Sequence, residues 1–184
     1  VIGASTTVSD IENSILMQTI FPGLKSYTKL VASTPIRNMA TIAGNFINAS
    51  PIGDMTIFFL ALDTEMVLNN NGKKRTVKLK DFYLGYKKLD KASEEYIETI
   101  VFDIPNEHAV FNFEKVSKRT HLDIASVNSA CLMETEDDLI KKVNLSAGGV
   151  GPIPKYLKET CKFLEGKVVS EPLIEEAIII FYFD

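Results

Sequence analysis

Between Thr34 and Asp54 the chain sets Pro35, Gly44, Pro51 and Gly53 among small and polar residues, with little helical or strand period. A stretch of roughly 20 residues without regular structure is uncommon in a compact domain and usually serves function. At its centre, Thr41-Ile42-Ala43-Gly44-Asn45 places a hydroxyl and an amide beside small residues, and Asp54 follows as a carboxylate. A backbone that approaches a phosphate closely needs glycine or alanine, and its free N–H groups then act as anion donors. Such a loop can cradle a dinucleotide. The same composition also fits an irregular loop packed for its own sake, and Asp54 can serve as a helix N-cap. Arg37 and Arg119 read as loop pins, and His108 and His121 fit no metal-ligand spacing.

The elements that must position these residues follow from turn and period signals. Val1 to Ala4 reads as a strand end, and Ser9-Asp10 with Glu12 as the start of a short helix. Leu24, Tyr27, Leu30 and Val31 form an amphipathic stripe that Pro35 should stop. A helix is expected from Asp54 through Leu62. Strands over residues 64–68 and 75–79 should form a hairpin across Asn69-Asn70-Asn71-Gly72, which makes Lys73-Lys74-Arg75 part of a solvated turn. A further strand is expected from Tyr96 to Ile104, then three more over 109–118, 123–135 and 138–147. Pro154 suits the first turn of a helix that stops at Gly166, and Ser170-Glu171-Pro172 starts another. Strands followed by segregated helices mean α+β, with a division near Pro105 into residues 1–105 and 106–184.

A chain of 184 residues, 46% hydrophobic and 24% charged, should fold around a core as one or two domains. The formal charge of −4, from 20 basic against 24 acidic residues, gives no footprint for a nucleic-acid backbone. No apolar run reaches the ~18–20 residues that span a bilayer. Cys131 and Cys161 stand far apart, which argues against a disulfide framework or a cluster held within this chain and suits a reducing, cytoplasmic compartment. The start at Val1-Ile2-Gly3-Ala4, with neither methionine nor signal peptide, is expected of a fragment beginning mid-protein. The apolar run Ala177 to Phe183 is expected to dock, or to continue beyond Asp184.

Ile36 to Asp54 resembles the I-R-N-x-A-T-I-G-G-N-x-x-x-A-S-P-x-x-D signature of the FAD-binding subunit of molybdenum hydroxylases, the family of xanthine dehydrogenase and the carbon monoxide dehydrogenase medium subunit. About a dozen identities over some twenty positions are far more specific than a lone Gly-rich triplet. Val1-Ile2-Gly3-Ala4 with Thr7, Leu60-Ala61-Leu62-Asp63, Lys115-Val116-Ser117-Lys118-Arg119 with Asp123-Ile124-Ala125, Gly148 to Pro154 and Leu164-Glu165-Gly166-Lys167 extend the resemblance along the chain.

The resemblance implies the second subdomain of a vanillyl-alcohol-oxidase-type FAD-binding domain, followed by a small antiparallel α+β domain. It implies a flavin subunit that takes electrons from a 2Fe-2S subunit, fed in turn by a molybdopterin subunit, and passes them to NAD or another acceptor. By position it implies FAD contacts from Val31, Ala32, Thr41, Ile42, Ala43, Gly44, Asn45, Asp54, Ile97 and Lys115. Thr41, Asn45 and the local N–H groups would donate to phosphate oxygens. Ala43 stands where the family has glycine, so either the backbone there is not left-handed or affinity is reduced. Ile97 would touch the isoalloxazine or be a plain core residue. Lys115 would sit near the flavin ring, favouring the anionic reduced form, or be a surface lysine. The family's first subdomain, with its Gly-rich pyrophosphate loop, would precede the Ile2-Gly3-Ala4 strand. Residues 1–184 would then hold part of the site, bind FAD weakly or not at all, and be inactive alone. The rival expectation is a truncated, non-enzymatic interaction module that binds no FAD.

Overall fold

The computed structural model describes residues 1–119 and 121–184. Strand β1 (Ile2–Gly3) leads into helices α1 (Val8–Asn13), α2 (Ile15–Ile20) and α3 (Leu24–Lys29). The cap of α1 is Thr7, two residues before the expected start. Its hydroxyl accepts from Asp10 N at 3.1 Å while the Asp10 carboxylate accepts from Thr7 N at 2.8 Å, a reciprocal capping box.

The stretch read as irregular contains two helices, α4 (Thr34–Arg37) and α5 (Ile42–Asn48). At four and seven residues they are too short to show a period. Nor does Pro35 stop the preceding helix. That helix has ended at Lys29, Ala32 turns the chain at φ 45°, and Pro35 occupies the first turn of α4, where a missing N–H costs nothing. Helix α6 (Asp54–Leu60) is buried along Met55 to Leu60, so it is a central helix with no solvent stripe.

Strands β2 (Glu65–Asn70) and β3 (Lys73–Lys78) form the expected hairpin, with Asn71 and Gly72 at φ 49° and 88°, the two positive values of a type I′ turn. Strands β4 (Tyr83–Gly85) and β5 (Lys88–Leu89) make a small ribbon, and β6 (Tyr96–Val101) completes the antiparallel sheet β1-β6-β2-β3. A second antiparallel sheet, β10-β9-β8-β7, contains β7 (Ala109–Val116), β8 (Val127–Glu136), β9 (Leu139–Gly148) and β10 (Lys155–Tyr156). Helices α7 (Lys158–Leu164) and α8 (Glu171–Ile180) follow, with Ser170 capping α8 through Leu173 N.

Several boundaries differ from expectation. The strand from Tyr96 stops at Val101, β8 begins at Val127 rather than 123, and Pro154 precedes a strand instead of opening a helix. The last has a tertiary cause. Lys155 and Tyr156 pair with Ala147 and Ser146 of β9, and local propensity does not encode that pairing. Lys73-Lys74-Arg75 lies in β3, where Arg75 bonds Asp90 and Glu95 and Lys74 bonds Glu98.

The core is organised around α6. The Phe58 ring meets Phe21, Phe59, Phe111 and Phe113 at centroid distances of 4.6 to 6.3 Å. Phe113, Ala130 and Leu132 of the second sheet belong to the same apolar cluster as α6 and β2, so the core runs continuously across Pro105. A smaller cluster under α7 and α8 joins Ile140, Val143, Cys161, Leu164, Leu173 and Ala177. The architecture is α+β with two antiparallel sheets. Among the described residues, no helix is long and apolar enough to cross a membrane.

Candidate functional site

Gly53, not Asp54, occupies the cap position of α6 and makes no side-chain cap bond, so the N-cap expectation for Asp54 does not hold. The Asp54 carboxylate turns toward the second sheet instead. Its Oδ2 accepts from Lys115 Nζ at 2.7 Å and its Oδ1 from Asn128 Nδ2 at 2.7 Å. Lys115 Nζ also donates to Leu30 O at 2.9 Å, and its side chain is 2% exposed. Lys115 is therefore half of a buried ion pair and not a surface lysine.

Burial is the largest influence on Asp54 and raises its pKa, while Lys115 and Asn128 pull the other way. With the folded value above the unfolded one, the native state binds this proton more tightly. On this group's account stability therefore falls as pH rises from 3.8 through the folded pKa. A carboxyl-carbon NMR titration should place the Asp54 midpoint above the ordinary aspartate value. A midpoint below it would mean that the ion pair outweighs burial.

Asn128 is almost fully buried and had no place among the expected site residues. Its Nδ2 also donates to Ile52 O at 3.1 Å, while its Oδ1 receives no hydrogen bond from the described residues. The one available signal was positional: Asn128 shares the inward face of β8 with Ala130 and Leu132, where a polar residue is costly. Gly148 stands opposite it in the register, and a Cβ there would lie 2.1 Å from Asn128 Oδ1 and 2.8 Å from Pro51 O. Gly149, at φ 83°, donates its N–H to Pro51 O at 3.1 Å. The glycine pair thus lets β9 close onto the Pro51–Asp54 turn.

A cleft of about 680 Å³ opens at this junction. Ala32, Ser33 and Ile36 line one side, Asn45 and Gly53-Asp54 the floor, and Arg119 with Leu122 to Ala125 the other side. Arg37 holds the first side by donating to Val31 O and Ala32 O, and Arg119 holds the opposite loop through Leu122 O and Asp123.

Four backbone donors of the Thr41 loop are engaged within the protein. Ile42 N bonds Thr6 O, Ala43 N bonds Ala4 O, Gly44 N bonds Thr41 Oγ1 and Asn45 N bonds Thr41 O. Those four N–H groups are held by the first turn of α5 and the adjoining chain rather than presented to a ligand. Asn45 Oδ1 is likewise occupied by Thr56 N and Oγ1, both at 2.9 Å. Among the described residues this leaves the Thr41 N–H, the Thr41 hydroxyl proton and Asn45 Nδ2 as the loop's uncommitted donors.

Ala43 lies in right-handed helix, so its methyl is tolerated. At the second glycine the space is tighter, since a Cβ on Gly44 would stand 2.8 Å from Thr41 Oγ1 and the capping hydroxyl would have to shift. Val31 and Ile42 are buried packing residues and Ala32 faces the cleft. Ile97 is buried in β6 opposite Leu68 and does not line the cleft. Ala32, Asn45 and Asp54 come together at the cleft with Lys115 behind them. Cys131 and Cys161 are free thiols whose pKa values burial pushes up to about 11, which makes them poor nucleophiles.

A family model described as the FAD binding domain in molybdopterin dehydrogenase matches residues 1–106, and one described as the CO dehydrogenase flavoprotein C-terminal domain matches residues 113–181. Xanthine dehydrogenase 1 of Arabidopsis thaliana is 34% identical over 163 residues, covering 85% of this chain and 12% of the plant protein. The nicotinate dehydrogenase FAD-subunit of Eubacterium barkeri is 28% identical over 185 residues, covering 98% of this chain and 62% of that subunit. The chain thus spans about an eighth of the plant relative and three-fifths of the bacterial one. The solved carbon monoxide dehydrogenase of Hydrogenophaga pseudoflava superposes with a TM-score of 0.90 at 23% identity, covering 96% of this chain and 61% of the matched one.

Proposed function

The chain belongs to the family of FAD binding domains in molybdopterin dehydrogenases, and we propose that it supplies part of the FAD site of an electron-transfer subunit. Residues 1–105 would carry the cradle and residues 106–184 its closing wall. The single observation that carries this reading is the cleft, where a buried Asp54–Lys115 pair lies behind Asn45 and Gly53.

The residues present fit such a group. A volume of about 680 Å³ is in the range of small-molecule sites, roughly 300–1,000 Å³. Ile36, Leu122 and Ile124 expose apolar surface into it, as a planar aromatic ring requires, while Asp54 offers acceptor lone pairs and Asn45 a donor. When bound, FAD would supply the redox chemistry, storing up to two electrons and releasing them to an acceptor. The chain's own part is to bind and orient it. Asp54 would accept a hydrogen bond from the ring, Lys115 would keep that carboxylate ionised, and Asn45 Nδ2 with the Thr41 hydroxyl would donate to oxygens of the cofactor.

By analogy with the relatives, the electrons would come from 2Fe-2S clusters on a partner subunit, fed by a molybdopterin-binding subunit that selects the substrate. They would leave to NAD or another acceptor. The free thiols accord with a reducing, cytoplasmic compartment.

The complete protein carrying this chain should retain the two visible flavin absorption bands after FAD addition and dialysis. Asn45→Ala should weaken FAD binding roughly five- to tenfold, the loss of one hydrogen bond. A colourless protein would overturn the reading in favour of a module that binds no FAD, and an Asn45→Ala variant of unchanged affinity would remove Asn45 from the site.

A further inference from the structure

We propose that Asn128 is the positioning residue of this cleft: it fixes the Asp54 carboxylate in the orientation that meets the cofactor, an inference that rests on the FAD reading above. The amide nitrogen of Asn128 makes two bonds, to Ile52 O at 3.1 Å and Asp54 Oδ1 at 2.7 Å, and so spans both ends of the Ile52-Gly53-Asp54 turn from the opposite sheet. Two acceptors on one nitrogen fix which way the amide faces.

Lys115, on the neighbouring strand β7, holds the other carboxylate oxygen. The carboxylate is therefore gripped at both oxygens from behind, and its remaining lone pairs are left to the cleft that Asp54 lines. Lys115 alone would permit rotation about the Asp54 side chain, because an ammonium is a point donor that does not select an orientation.

The neighbourhood is shaped around this amide. The next inward residues of β8 are Ala130 and Leu132, the apolar choices that packing alone favours. Asn128 departs from them at the cost of an oxygen that receives no hydrogen bond from the described residues, and Gly148 opposite makes room for that oxygen by carrying no Cβ. A buried amide in a row of apolar neighbours, with its nitrogen committed to the Ile52–Asp54 turn, is placed for that turn.

The test has two readouts in the protein: FAD affinity by fluorescence titration and the Asp54 carboxyl-carbon titration, which needs no cofactor. Asn128→Ala removes a donor to the carboxylate, so FAD should bind roughly tenfold more weakly and the Asp54 midpoint should rise. Val143→Ala, a core truncation in β9 away from the cleft, should lower the melting temperature while leaving both readouts unchanged. If Asn128→Ala fails to fold, Asn128→Asp keeps the shape, removes the donor and should raise the Asp54 midpoint further. An unmoved midpoint in the Asn128 variants, or equal shifts in Val143→Ala, would overturn the assignment. If the wild-type protein bound no FAD, the flavin reading would fall, while the carboxyl titration would still decide whether Asn128 governs Asp54.

Discussion

Asp54→Asn is expected to destabilise the protein by about 3–5 kcal/mol, because it leaves the Lys115 ammonium buried without its counter-charge. The Lys115 side chain is 2% exposed, and only neutral acceptors, Leu30 O and the new amide oxygen, would remain to its ammonium. In a protein of this size about 2–4 °C of melting temperature accompany each kcal/mol, so the loss should exceed roughly 6 °C. The double variant Asp54→Asn/Lys115→Met should recover at least half of it, since a buried ion pair is costly to break and cheap to replace with apolar matter of similar volume. Lys115→Met alone should cost less than Asp54→Asn near pH 4 and progressively more as pH rises, because Asp54 can escape by protonation and a buried lysine near neutral pH escapes less easily. Denaturant melts of the four proteins over a pH series measure this directly. Equal stability of Asp54→Asn and wild type would mean that water reaches Lys115.

Gly148→Ala is the second large effect expected. Its Cβ would stand 2.1 Å from Asn128 Oδ1 and 2.8 Å from Pro51 O, and the second of these is backbone that cannot swing aside. Overpacking of this kind costs about 1–3 kcal/mol. The strain should be released by pushing Asn128 off Asp54 and lifting the Pro51–Asp54 turn, so FAD binding should weaken along with stability. Gly72→Ala is the matched control. Its φ of 88° makes an added methyl unfavourable by roughly 1 kcal/mol, but nothing lies within 4 Å of it and the hairpin is remote from the cleft. Stability should fall in both variants and cofactor affinity in Gly148→Ala alone. A Gly148→Ala protein that holds FAD like wild type would show that the turn tolerates displacement.

The turn at Asn71-Gly72, the Ser170 cap and the close succession of β8 and β9 are legible from local chemistry, because each is decided by residues within a few positions of one another. The same holds for the family motif from Ile36 to Asp54, which lies within one continuous stretch of chain and contributes Ile36, Asn45, Gly53 and Asp54 to the cleft. The site itself is legible in its parts only. Asp54 and Lys115 are 61 positions apart and Asp54 and Asn128 are 74 apart, and no local rule pairs them. What joins them is how β8 and β9 pack on α6, which puts Asn128 inward, sets Gly148 opposite it and carries both against the Pro51 turn. Local chemistry also leaves the Thr41 loop ambiguous. Its N–H groups could meet a phosphate or a helix, and the neighbouring Ala4 and Thr6 carbonyls settle the matter by accepting two of them. Residue order thus specifies the family, the strand pattern and the candidate atoms. Tertiary packing decides which of those atoms remain free for a ligand, because each buried donor or acceptor is spent on whatever partner the fold brings within about 3 Å.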